Sequence, residues 1–182
     1  MKEKKELFTL ISAILAGVGA FIFLILSPIS FDMSSGMDGS GMSYSRVEQS
    51  FDMSGFDAIF GYSLLGVLSV NEFNFILFLT IAIVITACVM LFLDRFGKIK
   101  TDLTLYYVIG LGASTVLVFL SSTIISLSDM LELAMKSGDM NGVTMGFSLT
   151  FWGILSGLCL AGSTALLVIK QWVLKEKTQE IE

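Results

Sequence analysis

Among the residues that could bind a metal or act in catalysis, methionine has the most uneven distribution along this sequence. Eight of its ten copies lie in polar segments that separate long apolar runs, and thioether sulfurs are soft ligands that suit Cu(I). One polar segment alone contains the candidate metal ligands Met33, Met37, Met42 and Met53. The alternative interpretation is that these flexible side chains fill an irregular cap or form an apolar binding surface. Copper binding is therefore one candidate function.

Carboxylates in the same polar segment offer a second kind of site. Asp32, Asp38, Asp52 and Asp57 lie within one stretch, and carboxylate oxygens are ligands that Ca²⁺ prefers. The spacing of an EF-hand loop is absent. A solvated acidic loop is therefore the alternative that we favour.

Side chains that could act together as nucleophile and base are missing. The sequence contains no histidine, so a Ser-His or Cys-His pair cannot form. It also has no GxSxG, HExxH, CxxC or phosphate-binding loop pattern. Cys88 and Cys159 lie inside apolar runs and are interpreted as small core residues. We therefore predict that the protein is not an enzyme and needs no cofactor.

Four long apolar runs without charged residues dominate the chain, which has a mean hydropathy of +0.84. A helix of about 20 residues crosses the roughly 30 Å hydrocarbon layer of a bilayer. We therefore predict an all-α integral membrane protein, a four-transmembrane-helix bundle with a long first and a shorter second extracytoplasmic loop. The predicted segments are TM1 7–27, outer loop 28–72, TM2 73–93, cytoplasmic turn 94–102, TM3 103–127, outer loop 128–146, TM4 147–169 and cytoplasmic tail 170–182.

The first apolar run follows a basic head, as the apolar region of a signal peptide does. Signal-peptide apolar regions are only about 7–15 residues long. Here the run is longer, and Ser27-Pro28-Ile29-Ser30 is a poor cleavage site. We expect a retained span that ends at Pro28, because proline cannot continue a helix.

The basic residues predict the orientation of the spans. Nine of the eleven lie in the head, the 94–102 turn and the tail, and only Arg46 and Lys136 lie elsewhere. Short loops rich in Lys and Arg stay in the cytoplasm, so we predict a plasma-membrane protein with both termini cytoplasmic. The outer segments then carry a net charge of −7 and the cytoplasmic segments +2. The short basic clusters do not indicate nucleic-acid binding.

The long outer loop contains a five-residue echo. Ser30-Phe31-Asp32-Met33-Ser34 recurs as Ser50-Phe51-Asp52-Met53-Ser54. Two short copies do not predict a structural repeat, and the Gly- and Ser-rich stretch between them predicts irregular structure. The apolar stretch 56–70 is too short to span, and we expect it against the outer end of the bundle or in the interface.

Small residues at four-residue spacing mark the surfaces on which the spans could pack, because they let helix backbones approach closely in lipid. The candidate helix-packing residues are Gly153, Gly157, Ala161 and Ala165 in the fourth span and Ser12, Ala16 and Ala20 in the first. We expect packing within one chain. The alternative is self-association or contact with another membrane protein.

The leading functional hypothesis is a non-enzymatic scaffold or accessory subunit that recognises a partner through the bundle or the outer loops. A small oligomeric channel or transporter is the alternative, with a path lined by Ser114, Ser121, Ser122 and Thr123. The competing interpretation of these hydroxyls is hydrogen bonding to their own helix. The spans contain no ionisable residue, which argues against a proton-coupled pathway. Besides the lipid bilayer, the expected partner is another membrane protein or a second copy of the chain.

Overall fold

The computed structural model describes residues 2–35, 47–64, 68–96, 103–125, 132 and 143–173 of the chain. Within these ranges the protein is mostly helical and also contains a small β-sheet. Two of the four predicted metal ligands, Met37 and Met42, lie outside the described residues, as do most of the predicted 128–146 loop and the end of the tail.

Helices account for most of the described structure. They are α1 (Lys2–Ile25), α2 (Gly55–Phe60), α3 (Phe75–Arg95), α4 (Thr104–Phe119), α5 (Ser121–Ile124) and α6 (Phe151–Val168), which continues into a π-helical turn (Ile169–Val173). Three stretches are long and apolar enough to cross a membrane: Glu6–Ile25, Phe75–Arg95 and Phe151–Trp172. At 16 residues, α4 is about 24 Å long.

The long helices share one apolar interior. Helix α1 packs against α3 and α6, and α4 packs against the same two helices on the other side. Leu77 of α3, Leu111 of α4 and Leu160 of α6 are fully buried between them. The outward sides of the helices are also apolar, and Phe75 and Ile109 are 63% and 61% exposed. Such exposed apolar surface is what a helix presents to lipid.

A three-stranded antiparallel sheet lies in the region predicted as outer loops, so the all-α prediction is wrong there. Its strands are β1 (Ile29–Ser35), β2 (Val47–Met53) and β5 (Val143–Leu149). The two-residue strands β3 (Ser63–Leu64) and β4 (Leu68–Ser69) form a separate pair. The strand order is β2-β1-β5. Apolar residues Ile29, Phe31 and Met33 alternate with polar ones along β1, which is the period of a half-buried strand. The abundant Gly and Ser nearby concealed this period.

The opposite end of the helices is held by two ion pairs. Arg95 of α3 contacts Glu6 of α1 at 2.8 Å, and Lys170 in the π-helical turn contacts Asp94 of α3 at 3.2 Å. Surface pairs of this kind contribute about 0–1 kcal/mol each. Their importance is positional, because they place the ends of three helices side by side.

Candidate interaction site

Serine hydroxyls form the seam between α1 and α6, the two helices that support the sheet. Ser12 and Ser163 face each other with their Oγ atoms 2.7 Å apart, and each also lies within hydrogen-bond distance of the other residue's carbonyl oxygen. Farther along, the Ser156 hydroxyl donates to the Gly19 carbonyl at 2.8 Å. A Cβ at Gly19 would lie only 3.2 Å from Leu160 and from the Ser156 carbonyl. Close backbone approach and interhelical hydrogen bonds are the interactions that hold helices together in lipid.

The predicted small-residue stripe only partly follows this seam. On α1, Ser12, Ala16 and Ala20 are all buried. On α6 the stripe winds from buried to exposed surface, through Gly153 and Gly157 (buried), Ala161 (half-buried) and Ala165 (exposed). A four-residue step advances 400° around a helix, so the stripe drifts by about 40° at each step. The seam residues that sequence reasoning missed, Ser156 and Ser163, are seven residues apart and keep to one face.

The junction between the helices and the sheet explains the glycine at position 153. A Cβ there would collide with the carbonyl oxygen of Pro28 and lie 2.6 Å from the Leu149 side chain. The same Pro28 carbonyl accepts a hydrogen bond from the Thr150 amide at 3.0 Å, and the Thr150 hydroxyl donates to the Ser27 carbonyl. These contacts hold Thr150 extended, so α6 begins at Phe151. The predicted fourth span began at residue 147, but residues 147–149 lie in β5.

One face of the sheet is apolar and covers a small core of its own. Phe31, Met53 and Val70 are almost fully buried there. Phe31 lies at the centre of an aromatic row, with ring centroids 6.5 Å from Phe51 and 5.5 Å from Phe147. All three rings occupy one register position across the three strands.

This arrangement separates Met33 and Met53, the two predicted methionine ligands that the structure describes. Met33 lies opposite Gln49, whereas Met53 lies opposite Ile29, four residues and about 13 Å farther along the strand. Met53 is fully buried as part of the apolar core. Met145 of β5 is instead the neighbour of Met33. Among the described residues, no group of three or more His, Cys, Asp or Glu side chains could hold a metal ion.

The other face of the sheet is polar and carries acids and hydroxyls in an ordered grid. Three rows cross the strands in the order β2, β1, β5: Glu48, Ser34, Thr144; then Ser50, Asp32, Gly146; then Asp52, Ser30, Ser148. Hydroxyls bridge the strands, with Ser30 to Ser50 and Ser34 to Thr144 both at 2.6 Å.

Asp32 occupies the centre of this polar face. Its carboxylate accepts hydrogen bonds from the hydroxyls of Ser148 at 2.6 Å and Ser30 at 3.2 Å. Beside it, Gly146 leaves space, because a Cβ there would meet no atom within 4 Å. An open cavity of about 480 Å³ is lined by residues of both faces, among them Asp32 and Glu48 of the polar face and Met33 and Met145 of the apolar face. The site can therefore accept hydrogen-bond donors and positive charge.

A buried asparagine fixes the chain that runs from the sheet to α3. Asn71 is 1% exposed. Its Oδ1 accepts from the Tyr62 amide at 2.9 Å, and its Nδ2 lies 3.2 and 3.3 Å from the carbonyls of Asp57 and Ala58. Asn71 does not cap α3, because that position is held by Asn74, whose Oδ1 accepts from the Leu77 amide at 3.0 Å.

Helix α2 joins the sheet to the bundle and has a cap of its own. Ser54 and Asp57 form a reciprocal capping box, in which each side chain accepts from the other residue's amide. Gly55 touches the Phe23 carbonyl so closely that a Cβ would collide with it. Four exposed phenylalanines contact one another at this level, with Phe56 and Phe60 stacked and the other pairs tilted or edge-on, namely Phe56, Phe60, Phe73 and Phe78.

The hydroxyls predicted for a channel path do not share one environment. Ser114 and Ser121 are buried, and their hydroxyls have no hydrogen-bond partner among the described residues. Thr123 is exposed and donates to the Leu120 carbonyl of its own turn at 2.7 Å. Ser114 and Ser121 are seven residues apart, which places both on one face of the α4–α5 segment.

The sequence matches no protein-family model and no curated protein. No residue role is therefore carried over from a relative, and the functional interpretation depends on the sheet and the helices that support it.

Proposed function

We propose that this chain is a non-enzymatic membrane protein that crosses the plasma membrane four times and serves as a scaffold or accessory subunit of a membrane complex. In this proposal its outer sheet is the recognition surface, and both termini lie in the cytoplasm. The observation that carries the proposal is the sheet itself. Two segments more than 100 residues apart build an ordered polar face above an apolar bundle.

The pairing of β5 with β1 supports four crossings. If α1 crosses the membrane, β1 lies on the outer side, and β5 must lie there too because the two strands pair. Helix α3 returns the chain between them, so the chain must cross once more between Arg95 and Val143. Among the described residues of that stretch, the longest helix is α4, an apolar helix of 16 residues. Helix α5 (Ser121–Ile124) follows after a break at Leu120, and the two helices together provide about 30 Å of helix.

The charge of the polar face supports binding rather than catalysis. Glu48, Asp32 and Asp52 lie on adjacent strands of the polar face, and Asp32 is hydrogen-bonded by two hydroxyls. Hydrogen-bond acceptors in fixed positions recognise a complementary surface. A basic outer segment of another membrane protein is the partner class that suits them.

Photo-crosslinking in intact cells tests the recognition surface. A photoreactive amino acid replaces Thr144 or Ser148, which are exposed on the polar face. A matched control replaces Ile109, which is 61% exposed on α4 and should face lipid. We expect both sheet positions to yield the same protein adduct, which the control position does not yield.

Substitution of the acids gives the reverse test. Glu48→Lys and Asp52→Lys change exposed residues on β2 and should reduce the adduct severalfold without lowering the amount of the protein in the membrane. The proposal is wrong if the sheet positions yield no adduct, or if Ile109 yields the same one.

A channel is the second candidate, and the buried hydroxyls of Ser114 and Ser121, which have no hydrogen-bond partner within the part of the chain that the structure describes, favour it. Replacing an unsatisfied buried hydroxyl by a methyl group is close to neutral or stabilising when the site is dry. If Ser121 instead lines a water path, Ser121→Leu should abolish flux in proteoliposomes, whereas Thr123→Leu, on the exposed side, should not. An absence of flux together with an unchanged or higher melting temperature of Ser121→Ala would exclude the channel.

A further inference from the structure

We infer that the exposed edge of β2 pairs antiparallel with β2 of a second copy of this chain. The inference rests on the proposed function and deepens it, because it names one partner of the outer sheet. Its basis is the five-residue echo, whose two copies pair with each other through their first three residues inside one chain.

The pairing within the chain shows how this pentapeptide recognises itself. In the β1–β2 register Phe31 lies opposite Phe51, Ser30 opposite Asp52 and Asp32 opposite Ser50. Serine therefore faces aspartate on both sides of a central pair of phenylalanines. The pattern Ser-Phe-Asp reads as its own complement when the two strands run in opposite directions.

The same register can be built between two β2 strands. Because β2 carries the first four residues of the second copy, Ser50 to Met53, and Ser54 follows directly, a twofold axis at Phe51 places Phe51 opposite its own copy and Ser50 opposite Asp52 of the second chain. Gln49 then faces Met53, as it faces Met33 within the chain, and Glu48 faces Ser54, as it faces Ser34. Five of the seven cross-strand pairs of the β1–β2 ladder recur with the same residue types, whereas Ile29–Met53 and Ser35–Val47 do not.

The position and charge of β2 allow this contact. It is an edge strand, because β1 is its one partner in the described sheet, and edge strands present alternate N–H and C=O groups for pairing. Glu48, Gln49, Ser50 and Asp52 all have exposed side chains. In the twofold register each acid lies opposite a serine, so no two carboxylates face each other directly, an arrangement that would be destabilising.

Disulfide trapping in native membranes tests the register. Two differently tagged copies are expressed together, one with Ser50→Cys and the other with Asp52→Cys, in a chain whose Cys88 and Cys159 are replaced by alanine. Directly opposite residues have Cα atoms about 4.5–5.5 Å apart, which is within the range for a disulfide. Mild oxidation should therefore join the two tags.

Two matched pairs serve as controls. Glu48→Cys with Asp52→Cys occupies a diagonal position, about 7–8 Å apart, which a disulfide does not span without backbone movement. Thr144→Cys with Ser148→Cys tests the same geometry on the edge of β5. We expect the 50–52 pair to crosslink severalfold more than either control.

The outcomes separate this inference from the proposed function. Equal crosslinking of all pairs, none of the 50–52 pair, or preferential crosslinking of the β5 pair overturns pairing through β2. If the polar face still captures another protein in those cases, the recognition function stands. If the 50–52 pair is trapped while photo-crosslinking finds no other protein, self-association stands and the role as a subunit of a larger complex fails.

Discussion

At the scale of single residues, the glycines of this protein differ in how much space a Cβ atom would have at their positions. Gly153 lies against the Pro28 carbonyl and Leu149, whereas Gly146 faces open space. We expect Gly153→Ala to lower the free energy of unfolding by about 1–3 kcal/mol, the usual effect of overpacking. Gly146→Ala should change it little. Thermal unfolding of the purified variants in detergent distinguishes them, and equal melting temperatures would contradict the junction described here.

Two asparagines near the start of α3 give a second contrast, because both donate through Nδ2 and accept through Oδ1. At Asn74 the acceptor caps the helix, and aspartate is as good a cap as asparagine. At Asn71 the amide nitrogen faces the Asp57 and Ala58 carbonyls, so Asn71→Asp would place a carboxylate oxygen against them. Burying such an unpaired charge should destabilise the fold strongly.

We expect Asn71→Asp to lower the melting temperature in detergent and Asn74→Asp to change it little, although Asn74 also loses a bond to the Ile124 carbonyl. A similar loss in both variants would show that Asn71 is not the centre of this connection. The sequence could not distinguish the two residues. Both precede an apolar run, and only the folded loop brings the Asp57 carbonyl, fourteen positions earlier, to Asn71.

At the scale of elements, the sheet was not predicted from the sequence, although the alternation of apolar and polar residues that is typical of strands is present in β1 and β5. The three long helices could be predicted, because an uninterrupted apolar run of about 20 residues is typical of a membrane-spanning helix. Val143–Leu149 alternates apolar and polar residues, as β1 does, but its last three residues merge with the next apolar run. Strand pairing between segments this far apart depends on tertiary contacts, which local periodicity does not encode.

The row of phenylalanine rings should contribute much of the free energy that stabilises the sheet. Phe31 is 1% exposed and contacts rings on both sides, while Phe51, at the edge, is half-buried. We expect Phe31→Ala to cost about 3–5 kcal/mol and Phe51→Ala clearly less. Because the helices can persist without the sheet, hydrogen exchange of peptides that cover β1 and β5 is the suitable measurement. Equal protection in the two variants would argue against a core centred on Phe31.

At the scale of the whole molecule, the location of the C-terminus decides whether α4 crosses the membrane. Helices α1, α3 and α6 alone would make three crossings and leave the two termini on opposite sides. Crossing by α4 as well returns the C-terminus to the side of the N-terminus. It also places β5 beside β1, as their pairing requires, and Lys170 beside Asp94.

Reporter fusions determine directly on which side of the membrane each terminus lies. We expect a reporter that is active only in the cytoplasm to work at either terminus, and a reporter that is active only outside to work when inserted between β1 and β2. The basic residues support the same arrangement, since nine of eleven lie in the N-terminal head, the 94–102 turn and the tail, the segments that would be cytoplasmic. An outside location of the C-terminal reporter, with the N-terminal one inside, would mean that α4 does not cross. β1 and β5 would then lie on opposite sides of the bilayer, and the sheet could not form.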